Sequence, residues 1–540
     1  MAYNFAGGGD DDQVFLMPPD PRDWLPEGHL AWAMRRAAAG LDLAPFLAAY
    51  RADGQGNTAY HPRMMVALIM YCHAKGIRSS RAVEMATWDD VGARVICGGL
   101  HPDHATNARF TGRHEEPLKG LLVQSLVACA REGLVQVDVT AGDGTKVKAN
   151  ASMAANATAE QLGLDIAELE RLLEAEVAAW MEQARAADAA EDALSGEQDG
   201  PPAGPPPGRG AKRTADRLAR RQAAAAKLKA DQQARQEQAE AERSDKIARL
   251  AAEKGRLEAR AAGELAKGQA RVARYAQRAA AAAAGAGRRQ SGRAPWPAQQ
   301  QRDVRAAAAA AARAGRKLDE AIAAPAVAPR PARPPKANTT DLASQVMPLK
   351  KGGFDQLYNL QAFAGRGQVI FAIGTHPSTT DTAAAHPLLA AAAANLAAAG
   401  IGAALRTVLF DAGYASEDNF TAGCDAELYI AVTRESVQAG RQRGGTAPLS
   451  GQPGWQAMAA RLDTPEGQAL YKQRKAIIEP VFAQLFARFG RALHHRGDMV
   501  DTEIHLWAAV HNILKAIRAR ARREQRERQA VAPIPALATA

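Results

Sequence analysis

Cysteine is sparse in this chain of 540 residues, and so are aromatic side chains. Cys72, Cys97, Cys129 and Cys424 lie far apart, with no Cys-x-x-Cys pair. That spacing argues against a zinc cage or a disulfide framework and fits a reducing compartment. Aromatics make up 5% of the residues, so the hydrophobic fraction of 47% owes much to alanine and predicts a smaller packed core than the length suggests. Outside the alanine tracts no run of about 18 apolar residues is free of charge, so no membrane span is expected. The first residues, Met1 to Phe5 followed by Gly and Asp runs, carry no basic region ahead of an apolar stretch. No secretory signal is expected, and a cytoplasmic, nucleoid-associated protein fits.

What is present is length for two or three domains, a formal charge of +10 and a pI near 9.5. The charge favours a polyanionic partner. It is a modest signal, because arginine and alanine enrichment also accompanies a GC-rich genome.

Residues 12–135 read as a helical N-terminal domain. Apolar periodicity runs through Leu30, Trp32, Met34 and Leu41, then Met64, Met65, Leu68, Ile69 and Tyr71, then Leu118, Leu121, Leu122, Leu126 and Val127. Between the second and third, Gly76-Ile77-Arg78-Ser79-Ser80-Arg81 makes a short basic turn before a helical pattern, the outline of many DNA-binding modules. A plain surface turn capped by Ser79 or Ser80 explains it equally well.

Residues 158–335 change character. Leu162, Ile166, Leu169, Leu173 and Trp180 form a helical seam, broken by the Gly/Pro segment Gly200–Gly210. A long Ala/Arg/Glu/Gln stretch carrying Leu218, Leu228, Ile247, Leu250 and Leu257 follows, too irregular in apolar spacing to establish a coiled coil. Alanine tracts and a proline-rich run from Pro325 to Pro335 close an inserted helical arm, expected to be partly disordered.

Strand signals flank the arm. Leu134–Val139 alternates and leads into a Gly142-Asp143-Gly144-Thr145 turn, while Tyr358–Phe363 and Gln368–Ile373 flank Gly365-Arg366-Gly367 as a hairpin. A helix over Leu388–Ala399, a short buried strand Thr407–Phe410 and another at Leu428–Val432 complete a mixed α/β pattern.

Three acids stand apart from the solvated ones. Asp143 and Asp411 end predicted strands, and Glu479 sits alone in the apolar segment Lys475–Phe482. Carboxylates at neighbouring strand ends, with a third from a helix, suit a pair of Mg²⁺ or Mn²⁺ ions and phosphodiester chemistry. Each has a simpler explanation: a turn for Asp143, a helix cap for Asp411, an i,i+4 pair with Lys475 for Glu479. Pro480 disfavours helix at Glu479, and Glu417, Asp418 and Glu503 are rival third ligands.

Four ordered blocks carry a resemblance. They are Asp143–Ser152; Asn338–Asp341 through Lys351-Gly352-Gly353-Phe354 to Tyr358–Ala362; Asp411-Ala412-Gly413-Tyr414 with Glu417 and Asn419; and Tyr471, Arg474 and Glu479-Pro480-Val481-Phe482. Together they resemble the DDE transposases of bacterial insertion sequences, in the group numbered eleven-eighty-two. Tyr60-His61-Pro62, the Gly76–Arg81 turn, and Arg109-Phe110 with Arg113-His114 are similar to that family's N-terminal pattern. The resemblance implies an RNase H-like mixed sheet with flanking helices over residues 136–157 and 336–516, holding a metal-binding catalytic triad of Asp143, Asp411 and Glu479. It implies cleavage of double-stranded DNA at terminal inverted repeats, transfer into target DNA, and a homodimer that brings two ends together. DNA contacts are expected at Arg78, Arg81, Arg109, Arg113, Lys146 and Lys148. Tyr471, Arg474 and Lys475 are expected to hold DNA or orient Glu479. The charge of Lys515–Arg528, leading into the basic tail 517–540, suits either a helix that touches phosphates or a solvated end. Phe486 stands where the family has a lysine. The rival readings are a catalytically inactive DNA-binding relative, a nuclease without strand transfer, and a coiled-coil structural protein with basic arms.

Overall fold

A computed structural model describes residues 20, 23–50, 58–194, 209–285, 293–326, 334–349, 352–432 and 452–531. The chain divides into two units, one of Asn156–Thr339 and the other of the residues on either side.

The first part comprises seven helices: α1 (Leu30–Ala39), α2 (Ala44–Leu47), α3 (Pro62–Ala74), α4 (Ser80–Asp89), α5 (Val91–Cys97), α6 (His104–Arg113) and α7 (Glu115–Arg131). His61, Ser79, Asp90 and Asp103 each accept a backbone N–H of the helix they precede. The basic turn is therefore closed by Ser79, and Gly76 ahead of it sits at φ +79°. Helix α3 is apolar nearly all round and is buried by its neighbours.

Strand β1 (Val139–Lys148) follows. The inserted unit then comprises β2 (Asn156–Thr158), α8 (Ala159–Leu194), the 75-residue α9 (Arg209–Ala283), α10 (Arg302–Ala323) and β3 (Lys336–Asn338), with β2 and β3 paired antiparallel. The Gly200–Gly210 segment and the proline run from Pro325 to Pro335 fall in part outside the described residues.

The chain returns through β4 (Gln345–Pro348), β5 (Phe354–Gly365), β6 (Ile370–His376), α11 (Ala385–Ala398), β7 (Thr407–Phe410), α12 (Glu417–Thr421) and β8 (Glu427–Ile430). Helices α13 (Pro453–Asp463), α14 (Pro465–Tyr471), α15 (Gln473–Phe489) and α16 (Met499–Val531) complete it. The last nine residues of the basic tail lie outside the described residues.

One six-stranded sheet organises this unit in the order β4-β5-β1-β7-β8, with β6 also on β5. Strand β1 is antiparallel to β5 and parallel to β7, and β7 is parallel to β8. This is the mixed α/β architecture expected from the sequence. Helices α7 and α16 pack together, α11 and α16 lie against β6, and α15 lies against β1 and β5. Trp507, Phe363, Phe371, Phe410 and Phe489 fill the core between them.

The start of the sheet corrects one reading. Gly142-Asp143-Gly144-Thr145 is the middle of β1, with Asp143 opposite Ala362, rather than a turn at a strand's end. The glycines serve close approach instead. A Cβ on Gly142 would lie 2.2 Å from the Phe410 ring, and one on Gly144 2.6 Å from Asp381 Oδ1. Helix α15 likewise runs unbroken through Pro480. No described helix is long and apolar enough to cross a membrane.

Candidate active site

The parallel register of β1 and β7 sets Ala141 beside Leu409, so two residues further on Asp143 and Asp411 reach the same level. Both lie toward the carboxyl end of a parallel pair, where open α/β sheets place their ligands. Asp411 leaves β7 as the cap of a tight turn over Ala412–Tyr414, its Oδ1 accepting the Gly413 N–H at 2.9 Å. Asp143 Oδ1 accepts from Gly144 N at 2.8 Å. Burial, with the like charge of Asp411 next, pushes the Asp143 carboxyl up to about 6, while Arg474 pulls the other way. Arg474, buried on α15, lies 3.3 Å from Asp143 Oδ2 through Nη1.

A third acid stands beside this pair, one that sequence reasoning missed. Asp381 Oδ1 accepts from Asn359 Nδ2 at 2.8 Å and from Gln361 Nε2 at 2.7 Å, and Lys146 Nζ lies 3.9 Å away. Asp381 Oδ2 faces Gly413, 3.3 Å from where a Cβ would sit. Gln361 is fixed in turn by Asn359 Oδ1 and by the Tyr414 hydroxyl, which donates to its Oε1. Asn419 donates to the carbonyls of Thr382 and Tyr414 and ties the two turns together. The signal lay in β5: two carboxamides, Asn359 and Gln361, two residues apart in the buried stretch of the strand, need polar partners on one face.

The expected third acid lies on the same helix as Arg474. Glu479 is on the exposed side of α15, whereas Arg474, Ile477, Ile478 and Val481 of the same helix are buried. Among the described residues, no group of three or more His, Cys, Asp or Glu side chains is gathered as a metal cage. Of the rival ligands, Glu417 accepts the N–H groups of Gly454 and Trp455 at the start of α13, and Asp418 is exposed. Glu503 is buried, accepting from Arg78, His494 N and His495 N.

The expected DNA contacts separate into two kinds. Arg78 is inside the protein: its guanidinium lies 3.1 Å from Glu503, donates to Ala492 O and covers the Trp507 ring. The basic turn looked solvent-facing because its carboxylate partner lies far along the chain. Lys146 donates to Thr379 O, Lys148 pairs with Asp355 at 2.7 Å, and Tyr471 packs beside Arg474. Arg81, Arg109, Arg113 and Lys475 are exposed, with Arg109 bound to Thr106 of its own helix and Arg113 lying over the Tyr50 ring.

Residues 19–113 match the family model described as Transposase domain (DUF772), and residues 450–517 the one described as Transposase DDE domain. No curated protein and no solved structure matches the chain. Both family matches support a transposase of the DDE type.

Proposed function

We propose that the chain cleaves DNA at the ends of an insertion sequence of the eleven-eighty-two group and joins the freed ends to target DNA. The observation that carries this reading is the side-by-side placement of Asp143 and Asp411, two carboxylates held together against their mutual repulsion. A pair arranged this way is costly unless a cation is to be held, and its hard oxygen donors fit Mg²⁺ or Mn²⁺. When bound, such ions activate a water or 3′-hydroxyl nucleophile and stabilise the leaving oxygen of the phosphodiester. The mixed sheet, antiparallel on one side of β1 and parallel on the other, supports the RNase H-like reading.

Asp143 and Asp411 hold the metal in this proposal, with Glu479 as the third acid. In this proposal Arg474 gives up Asp143 as the metal site fills. Released from Asp143, Arg474 becomes a phosphate clamp, joined by Lys146, Lys148, Tyr471 and Lys475. Arg81, Arg109 and Arg113 extend the DNA surface; Arg78 is left out because its partners are internal. Two copies, one for each transposon end, fit the reaction.

The rival reading is a relative that binds DNA ends without cutting them. Mg²⁺-dependent cleavage of duplexes carrying the element's own ends separates the two. Asp143→Ala and Asp411→Ala should abolish cleavage by the parent and leave end binding in place. Unimpaired cleavage by Glu479→Ala, with loss in Asp381→Ala, would transfer the third role to Asp381. No cleavage by the parent under any divalent ion would favour the rival.

A further inference from the structure

In the inserted unit the single helix α9, about 110 Å long at 1.5 Å per residue, is flanked by different partners along its length. Its first part, residues 209–235, carries nine basic and two acidic residues. There it packs against α8, which has ten acidic and two basic residues. Arg221 Nε meets Asp165 at 2.7 Å, and Gln222 reaches Glu170. Part of the positive charge here is answered within the fold, Lys227 also meeting Asp231 at 3.0 Å.

The far part of α9 is not treated this way. From residue 265 to residue 305 the chain has nine Lys or Arg residues and one acid, Asp303. Here α9 packs against α10, which is itself basic in balance. Arg271, Arg274, Arg278, Arg293, Arg302 and Arg305 are all exposed. Of these, Arg271 alone has a carboxylate within reach among the described residues, Asp303 at 3.6 Å. Concentrated like charge of this kind opposes folding through self-repulsion. It contributes nothing to the α9–α10 seam, which is made by Val304, Ala307, Ala314, Leu318 and Ala321.

The return segment that brings Arg293 and Arg302 back to α9 is fixed. Gln301 Nε2 donates to Trp296 O at 2.9 Å and to Gly268 O at 3.5 Å. A Cβ on Gly268 would lie 3.3 Å from both Ala298 and Val304, so the two stretches of chain approach closely there. Trp296 is 59% exposed on this segment, with the Arg293 guanidinium 5.7 Å from its ring.

We infer that this end of the arm, centred on Arg274, Arg278, Arg302 and Arg305, is a contact surface for the phosphate backbone of duplex DNA. The guanidiniums project from one ordered helical end, lack internal carboxylates, and match a polyanion presented as a rigid rod. Among the described residues, no exposed apolar stripe accompanies them of the kind a lipid surface would require. The inference stands apart from the aspartate pair, since it concerns binding without cleavage.

The test uses the full chain, in EDTA, with a labelled random duplex of about 30 base pairs and fluorescence anisotropy across a salt series. One variant carries Arg274→Gln, Arg278→Gln, Arg302→Gln and Arg305→Gln; a second carries Lys at the same four positions. A charge-matched control carries Lys212→Gln, Arg213→Gln, Arg217→Gln and Arg220→Gln, all exposed in the α8-covered part. The Gln variant at the far end should lose about tenfold or more in affinity at 0.1 M salt. Its log–log salt slope should flatten by about 0.9 for each phosphate that is no longer neutralised. The Lys variant should retain most of the affinity, and the control should stay within about twofold of the parent. Parent-like binding by the Gln variant overturns the inference. So does an equal loss in the control, which would mean that only total charge matters. A loss confined to phosphatidylserine vesicles, with duplex binding intact, would assign the surface to a membrane instead and overturn it too. Circular dichroism at 222 nm establishes that the arm remains helical, and if the Gln variant loses helix, failure of the still-helical Lys variant to bind better decides against the inference.

Discussion

In the sheet-bearing unit, Asn512 on α16 accepts the Ile370 N–H, donates to the Ile370 carbonyl and reaches Ser125 on α7. One buried side chain there joins three segments far apart in sequence. In the inserted unit, a buried position such as Leu318 belongs to a seam between two helices. The first arrangement concentrates stability in a few irreplaceable interactions. The second distributes it along a line, as in repeat-like rods whose local parts open with some independence.

Acid should expose the difference most strongly. Burial holds His73 and His511 down to about 4, against 6.5 for an unperturbed imidazole. Both are neutral in the folded and unfolded chain above pH 6.5, so their full stability is present there. As pH falls from 6.5 toward 4 the unfolded chain takes up protons that the folded one refuses, and stability is lost, by about 3 kcal/mol for each histidine. The titratable groups of the inserted unit are nearly all exposed or partly exposed. Hydrogen exchange followed by mass spectrometry at pH 7 and pH 4.5 should show deprotection of β5, β6 and α16 with α9–α10 little changed. Equal loss in both units would break the comparison.

Glycine-to-alanine changes sharpen it. Gly142→Ala drives a methyl into the Phe410 ring, and a loss of about 3 kcal/mol in urea unfolding is expected. Gly268→Ala, in α9, sets a tight approach against a gain in helix propensity of about 1 kcal/mol. Its net effect should be within about 1 kcal/mol of zero. Leu318→Ala should cost about 2 kcal/mol, at the low end for a core leucine because the seam can close around the gap, and exchange should rise only in α10 and the α9 segment beneath it. Arg221→Ala removes a partly exposed ion pair and should change stability by less than about 0.5 kcal/mol. A larger value would mean that α8 depends on charge rather than on Leu162 and Leu169.

Legibility in the sequence followed the range of the interactions. Thr407–Phe410 was readable as a buried strand because four consecutive residues announce it, and α11 because a dozen do. Gly142 and Gly144 were misread as a turn: the side chains that demand glycine there, Phe410 and Asp381, are more than two hundred residues away in the chain. Asp381 had no local mark at all, since its meaning comes from amides on β5. The level placement of Asp143 and Asp411 could be guessed from strand ends, but only the β1–β7 register sets it. For Glu479 a motif supplied the residue and left the face of its helix undetermined.

Arg78 and Glu503, 425 residues apart, bear on whether the leading helices form a portable part. A fragment ending at Arg131 would hold Arg78 without its carboxylate and would bare the α7 face where Ser125 and Cys129 meet Asn512. Such a piece would be sticky and poorly folded. Grafted onto another protein, these helices would bring an open wound rather than an adaptor unless the α16 segment travelled with them.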